Sequence, residues 1–234
     1  MNTRLKLNMQ KQPTYTTCGP TTLHAIYNYY GDSISLEQTI SEIRQFEEGG
    51  GTIAVSLANH ALKRGYDVCL YSYNLNIFDP TWFELDKEQM IIKLEQRLAQ
   101  KELSAKAKRI YPQYIKYLKL GGTILFRDLS KELIFNHLKF EEPIITSLNC
   151  TWLYKDMRED SVTNIENDII GNSVGHFVVL HGMKDNKVNV ADPFEQNPIG
   201  ETLYYDIEFD RLINSILLGI TSFDGNLLVI RKEK

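Results

Sequence analysis

Apolar positions recur at helical spacing from Cys18 to Tyr30, where Leu23, Ile26, Tyr27 and Tyr30 share a face and Gly31 follows as a terminating glycine. Ser35 opens a second helix to about Phe46, with Gln38 placed as the return partner of a capping box. Gly49, Gly50 and Gly51 punctuate its end, and Thr52 is the N-cap expected for a third helix, roughly Ile53 to Arg64. The short β-branched and aromatic run from Asp67 to Tyr73 reads as a strand.

Between Asp79 and Leu120 the pattern becomes charged and helix-favouring, with candidate helices at Lys87–Gln100 and Ser104–Leu118. We read this segment as an inserted helical hairpin. After it the chain is richer in strands: Thr123–Phe126, Pro143–Leu148, Leu203–Ile207 and Leu227–Ile230, with helices at about Leu129–Leu138 and Phe209–Leu218. Gly175–Met183 and Lys187–Ala191 flank the turn residues Lys184, Asp185 and Asn186, which predicts a β-hairpin. The polar stretch from Tyr154 to Gly171 has neither period and is a loop placed to cover a cleft. The expected architecture is α+β, one domain over residues 1–234, with an N-terminal helical part packed on a C-terminal antiparallel sheet and the helical insertion at about 79–120.

Composition narrows the function classes. At 234 residues, 43% hydrophobic and 24% charged, the chain is long enough for a substantial core and is not a disordered one. A net charge of −4 with scattered Lys and Arg argues against binding nucleic acid or an anionic membrane. Residues 1–11 contain no apolar core of signal-peptide length and no run is long enough to span a bilayer, so a cytoplasmic location is expected. Cys18, Cys69 and Cys150 form no CxxC pair, and no His or carboxylate group has metal-ligand spacing, so neither a metal nor another cofactor is expected.

One cysteine stands apart. Cys18 opens its helix, where the positive end of the macrodipole and unpaired N–H groups favour a thiolate. His176 and Asp192 follow in the order required of a base and the group that orients it, and a hairpin folded at 184–186 brings them close. Gln12, in the loop leading to Cys18, is placed to donate its amide to an oxyanion alongside the Cys18 N–H. His181 is the rival base, but its odd separation from His176 along one strand puts it on the other face. His24, His60 and His137 fall on helices, while Cys69 and Cys150 lie in strand-like apolar runs and read as core.

The set Gln12, Cys18-Gly19-Pro20-Thr21, Gly175-His176-Phe177-Val178-Val179 and Asp192-Pro193 resembles the papain-like cysteine peptidase superfamily, in particular the bacteriocin-processing (double-glycine leader) peptidases and their stand-alone relatives. The resemblance implies a papain-like fold in which Gln12 helps form the oxyanion hole, Cys18 is nucleophile, His176 base and Asp192 its orienting acid. It implies a thiol peptidase acting on a peptide or isopeptide bond of a peptide or protein substrate through an acyl-enzyme. The chain has no Walker motif, and Thr17 stands where exporter-linked members commonly carry aspartate, so it is more similar to the free-standing branch. An acyltransferase, transpeptidase or deamidase would use the same three groups, and a non-catalytic peptide-binding module would keep the shell alone. The insertion is the candidate place for a partner protein.

Overall fold

The apolar run that begins at Gly175 forms the middle of an eight-stranded sheet. The computed structural model describes residues 2–43, 51–160, 163–222 and 224–232. Its strands are β1 (Asn2–Arg4), β2 (Tyr66–Ser72), β3 (Thr123–Leu125), β4 (Ile144–Asn149), β5 (Gly175–Lys184), β6 (Lys187–Ala191), β7 (Tyr204–Glu208) and β8 (Asn226–Lys232). They lie in the order β3-β2-β8-β4-β5-β6-β7, with β1 paired to the far end of β5. Every pairing is antiparallel except β2 with β3.

Burial on both faces follows from the two-residue period of a strand. Along β2, Val68 and Leu70 enter one core while Cys69 and Tyr71 enter the other. On β5, Phe177 and Val179 alternate in the same way with Val178 and Leu180. The first face is covered by α1 (Cys18–Tyr29), α3 (Ala54–Lys63) and α5 (Ala105–Lys119), the second by α6 (Lys131–Lys139) and α8 (Phe209–Leu218). The fold is therefore α+β with the cysteine-bearing helix laid on an antiparallel sheet, as expected. The N-terminal part also contributes strands β1 and β2 to that sheet.

The hairpin read in the 79–120 segment is formed by α4 (Lys87–Leu98) and α5. It is built into the core through its second helix. Tyr111, Tyr114 and Tyr117 of α5 are buried, and the Tyr117 hydroxyl lies 2.8 Å from the Val68 carbonyl and 2.9 Å from that of Thr123, tying α5 to β2 and β3. Gly122 makes room for this contact, since a Cβ there would come within 2.3 Å of the Tyr117 ring.

Several local expectations change. A second helix, α2 (Leu36–Glu42), stops short of Phe46, with Ile43 already extended; residues 44–50, including the rest of that expectation and Gly49 and Gly50, lie outside the described residues. Ser35 does cap it, but Gln38 sends its side chain to Glu42 at 2.7 Å instead of back to the cap. Ile53, not Thr52, is the N-cap of α3, whose first N–H at Ala54 is met by the Asp224 carboxylate at 3.3 Å, while the Thr52 hydroxyl is buried without a partner. Cys150 is not in a strand: it opens a short helix, α7 (Cys150–Tyr154).

Candidate active site

The turn before α1 is closed on itself. Thr17 donates its hydroxyl to the Thr14 carbonyl at 2.9 Å and accepts the Thr14 N–H at 3.0 Å. That side chain is therefore occupied and does not cap the helix. The N–H groups at the start of a helix have no intrahelical partner, and Pro20 has none to offer, so those of Cys18 and Gly19 form the positive end of α1. Gly19 is required by packing: a Cβ there would sit 2.3 Å from Thr52 Cγ2 and 3.3 Å from Phe177 Cδ2. Its lack of a side chain lets α1 lie close to β5, the strand that begins with Gly175 and His176.

His176 Nε2 lies 2.8 Å from Asp192 Oδ1, and both residues are buried. The route to this contact differs from a symmetric hairpin. A bulge between Leu180 and Gly182 shifts the β5–β6 register so that Val179 faces Ala191, and Asp192 reaches His176 from just beyond the ladder. The Asp192 N–H donates to the Leu203 carbonyl at 2.8 Å, and the Phe194 N–H donates to Asp192 Oδ1 at 2.9 Å. The carboxylate also accepts the hydroxyls of Tyr154 at 2.6 Å and Tyr205 at 2.8 Å, both on Oδ2.

These contacts set the charges. Burial opposes ionisation of Asp192, but His176 and the surrounding hydrogen bonds hold its pKa below the ordinary carboxylate value. Burial likewise opposes a charged His176, yet the charge of Asp192 and then the proximity of Cys18 push its pKa up to about 10. The structure thus joins His176 to Asp192 and places Cys18 within electrostatic reach of that pair.

Gln12 is tied to the same group through the backbone, its N–H donating to the Pro193 carbonyl at 2.9 Å. Its side-chain amide is engaged within its own loop. The amide nitrogen is 3.1 Å from the Thr14 carbonyl and 3.3 Å from that of Tyr15, and its oxygen is buried without a partner. Gln12 and His176 line one cleft of about 310 Å³ together with Tyr15, Cys150, Tyr154 and Phe194. The loop after Tyr154 supplies Asp156, Met157, Glu159, Asn164 and Glu166 to the same walls, as its position beside the histidine strand predicts. Tyr15 donates its hydroxyl to Glu159 across the cleft.

Residues 4–211 match the profile of the Peptidase_C39 like family. The chain belongs to that family. Family and fold are therefore of the C39 cysteine peptidase type. A C39-like peptidase structure from Bacillus anthracis superposes with a TM-score of 0.55 at 13% identity over 100% of both chains. A double glycine motif protease from an AMS/PCAT transporter, solved in complex with the leader peptide, gives 0.48 at 16% identity over 100% of this chain and 99% of that one. The peptidase domain of Streptococcus ComA, a bifunctional ABC transporter involved in quorum sensing, gives 0.44 at 14% identity over 98% and 99%. No curated protein matches the sequence significantly. Among the described residues, no helix of this C39-like chain is long and apolar enough to cross a membrane.

The remaining histidines of the C39-like chain are held elsewhere. His181 sits in the β5 bulge, bonded to the Leu5 carbonyl at 3.1 Å and packed against the Tyr204 ring. His60 bridges Tyr27 and Glu42, His137 bridges Tyr71 and Glu142, and His24 contacts Asn28 within α1. Cys69 is core, with burial raising its pKa to about 11. Cys150 is buried too, its thiol facing the Val174 carbonyl at 3.3 Å, but it lines the cleft, a placement its sequence environment did not announce. No sequence signal marks Tyr154 or Tyr205. Neither sits in a motif, and only the fold carries a residue of α7 and one of β7 to the same carboxylate.

Proposed function

We propose that this protein is a thiol peptidase that cleaves a peptide or isopeptide bond through an acyl-enzyme on Cys18. The observation that carries the reading is the buried contact between His176 and Asp192 beside a cysteine at the uncapped start of α1. The Cys18 sulfur attacks the scissile carbonyl carbon and forms the S–C bond. The oxyanion is met by the Cys18 N–H and by the Gln12 amide once that amide leaves the carbonyls of its own loop. His176 gives its proton to the leaving amine as the C–N bond breaks, then takes one from the water that hydrolyses the thioester. Asp192 keeps the imidazole oriented, with Nε2 occupied and Nδ1 free for Cys18.

The reading is tested by incubating Cys18→Ala and His176→Ala variants with a peptide library that the wild-type protein cleaves. Each variant is expected to lose turnover while retaining its circular dichroism spectrum. Cleavage at the wild-type rate in either variant overturns the assignment.

A further inference from the structure

Asp192 is wholly buried, and a carboxylate has about four lone-pair positions for donors. Here four donors reach it. Oδ1 takes His176 Nε2 and the Phe194 N–H, and Oδ2 takes the hydroxyls of Tyr154 and Tyr205. The two tyrosines come from α7 and β7, elements separated by the whole β5–β6 hairpin, so local chain geometry alone does not bring them together. Tyr205 lies behind the carboxylate in the second core, whereas Tyr154 also lines the cleft, 6.3 Å between ring centroids from both His176 and Phe194.

We propose that Tyr154 and Tyr205 are positioning residues of the site, whose hydroxyls together hold the Asp192 carboxylate so that Oδ1 stays on His176 Nε2 and the imidazole stays turned to Cys18. This rests on the peptidase reading of Cys18 and His176. The hydroxyls, not the rings, perform the function. Buried rings would pack as well without oxygen, and a hydroxyl is retained in such surroundings only at the cost of finding a partner. A bond to a buried charge is stronger than a neutral one, and losing one leaves Oδ2 desolvated and less constrained. Tyr154 further places one of these hydroxyls on a side chain that bound substrate would touch, so that cleft and charge pair meet in one residue.

The groups facing Asp192 are His176 from β5, Tyr154 and Cys150 from α7, Tyr205 from β7, and Cys18 through His176. Donors to a carboxylate favour its charged form, so removing one lets Asp192 take a proton at higher pH. His176 then loses its counter-charge, and Cys18 loses the imidazolium beside it.

The test is the rate of Cys18 alkylation by iodoacetamide as a function of pH, read by mass spectrometry of the Cys18 peptide, in the wild type, Tyr154→Phe, Tyr205→Phe and Asp192→Asn. No substrate is needed. The acid limb is expected to move up by roughly 0.5–1 pH unit in each Phe variant. Adding either Phe change to Asp192→Asn should produce no further shift, because the hydroxyls act through the carboxylate. With a cleaved peptide in hand, each Phe variant should lower kcat about 10-fold or more and leave KM within about 2-fold. Phe variants with the wild-type alkylation profile and kcat overturn the proposal while leaving the peptidase reading intact. A wild-type Cys18 that reacts as slowly as a free thiol near pH 6 removes both. Should Tyr205→Phe fail to fold, Tyr154→Phe on the cleft side carries the same test alone.

Discussion

The imidazole Nε2 of His176 lies 2.8 Å from Asp192 Oδ1, which leaves Nδ1 as the ring nitrogen for Cys18. An amide in place of the carboxylate keeps the shape but removes the charge and favours the wrong tautomer. Asp192→Asn is therefore expected to fold and to lose on the order of 10²–10⁴ in kcat. Steady-state kinetics on any cleaved peptide check this, and an unchanged kcat would show that the carboxylate orients nothing.

The same contact fixes a pH dependence. His176 is pushed up to about 10 from its ordinary 6.5, so the stabilisation it gains in the fold is complete below 6.5 and is lost as pH rises through about 10. Asp192 is held low, so its contribution is present above the ordinary carboxylate range and is lost as acid carries the pH through its depressed value. If His176 supplies the proton for the leaving amine, kcat/KM should fall on a limb near pH 10 in wild type. A basic limb near 6.5 would contradict a charged His176.

Gln12 gives a separate forecast. Its amide donors are spent on Thr14 and Tyr15 while its oxygen has no partner, so truncating it costs the fold little. Gln12→Ala should lower kcat by roughly 10²-fold or more with KM nearly unchanged. A raised KM at constant kcat would make Gln12 a binding residue only.

At the start of α1, space is the constraint. A Cβ on Gly19 would lie 2.3 Å from Thr52 Cγ2, and overpacking of this kind costs about 1–3 kcal/mol. Gly19→Ala should lower the urea midpoint, and Thr52→Ser, which removes that methyl, should restore most of the loss in the double variant. Additive losses would locate the strain elsewhere.

Much of this was legible in the sequence. Helical spacing and Gly31 located α1 within a residue, and the turn at 184–186 located the hairpin that carries His176. What the sequence lacked was register. A bulge at His181 carries no residue signature, yet it decides how Asp192 approaches His176. The capping role of Asp224 at Ala54 was hidden for a similar reason, since a residue 170 positions away took the role expected of Thr52. The tyrosines on Asp192 are the extreme case, being ordinary aromatic positions until the sheet closes.

Asp224 itself can be tested. Burial, offset only in part by its bonds to Asn226, Ala54 and Ser147 and by the charge of Lys106, pushes its carboxyl up to about 7. The folded state then holds a proton that the unfolded chain releases, so the contribution of Asp224 to stability should fall as pH rises from about 4 to 7. Urea midpoints across that range should fall less steeply in Asp224→Asn than in wild type. Parallel slopes would mean that Asp224 titrates alike in both states.

The central claim is covalent catalysis by Cys18. Acid-quenching the wild-type protein during turnover of a cleaved peptide, followed by peptide mapping with mass spectrometry, reads it directly. The account predicts a mass increase equal to the N-terminal acyl fragment on the Cys18 peptide, released by hydroxylamine and absent in Cys18→Ala. An adduct on Cys150 or Cys69 instead, or undiminished turnover in Cys18→Ala, would contradict it.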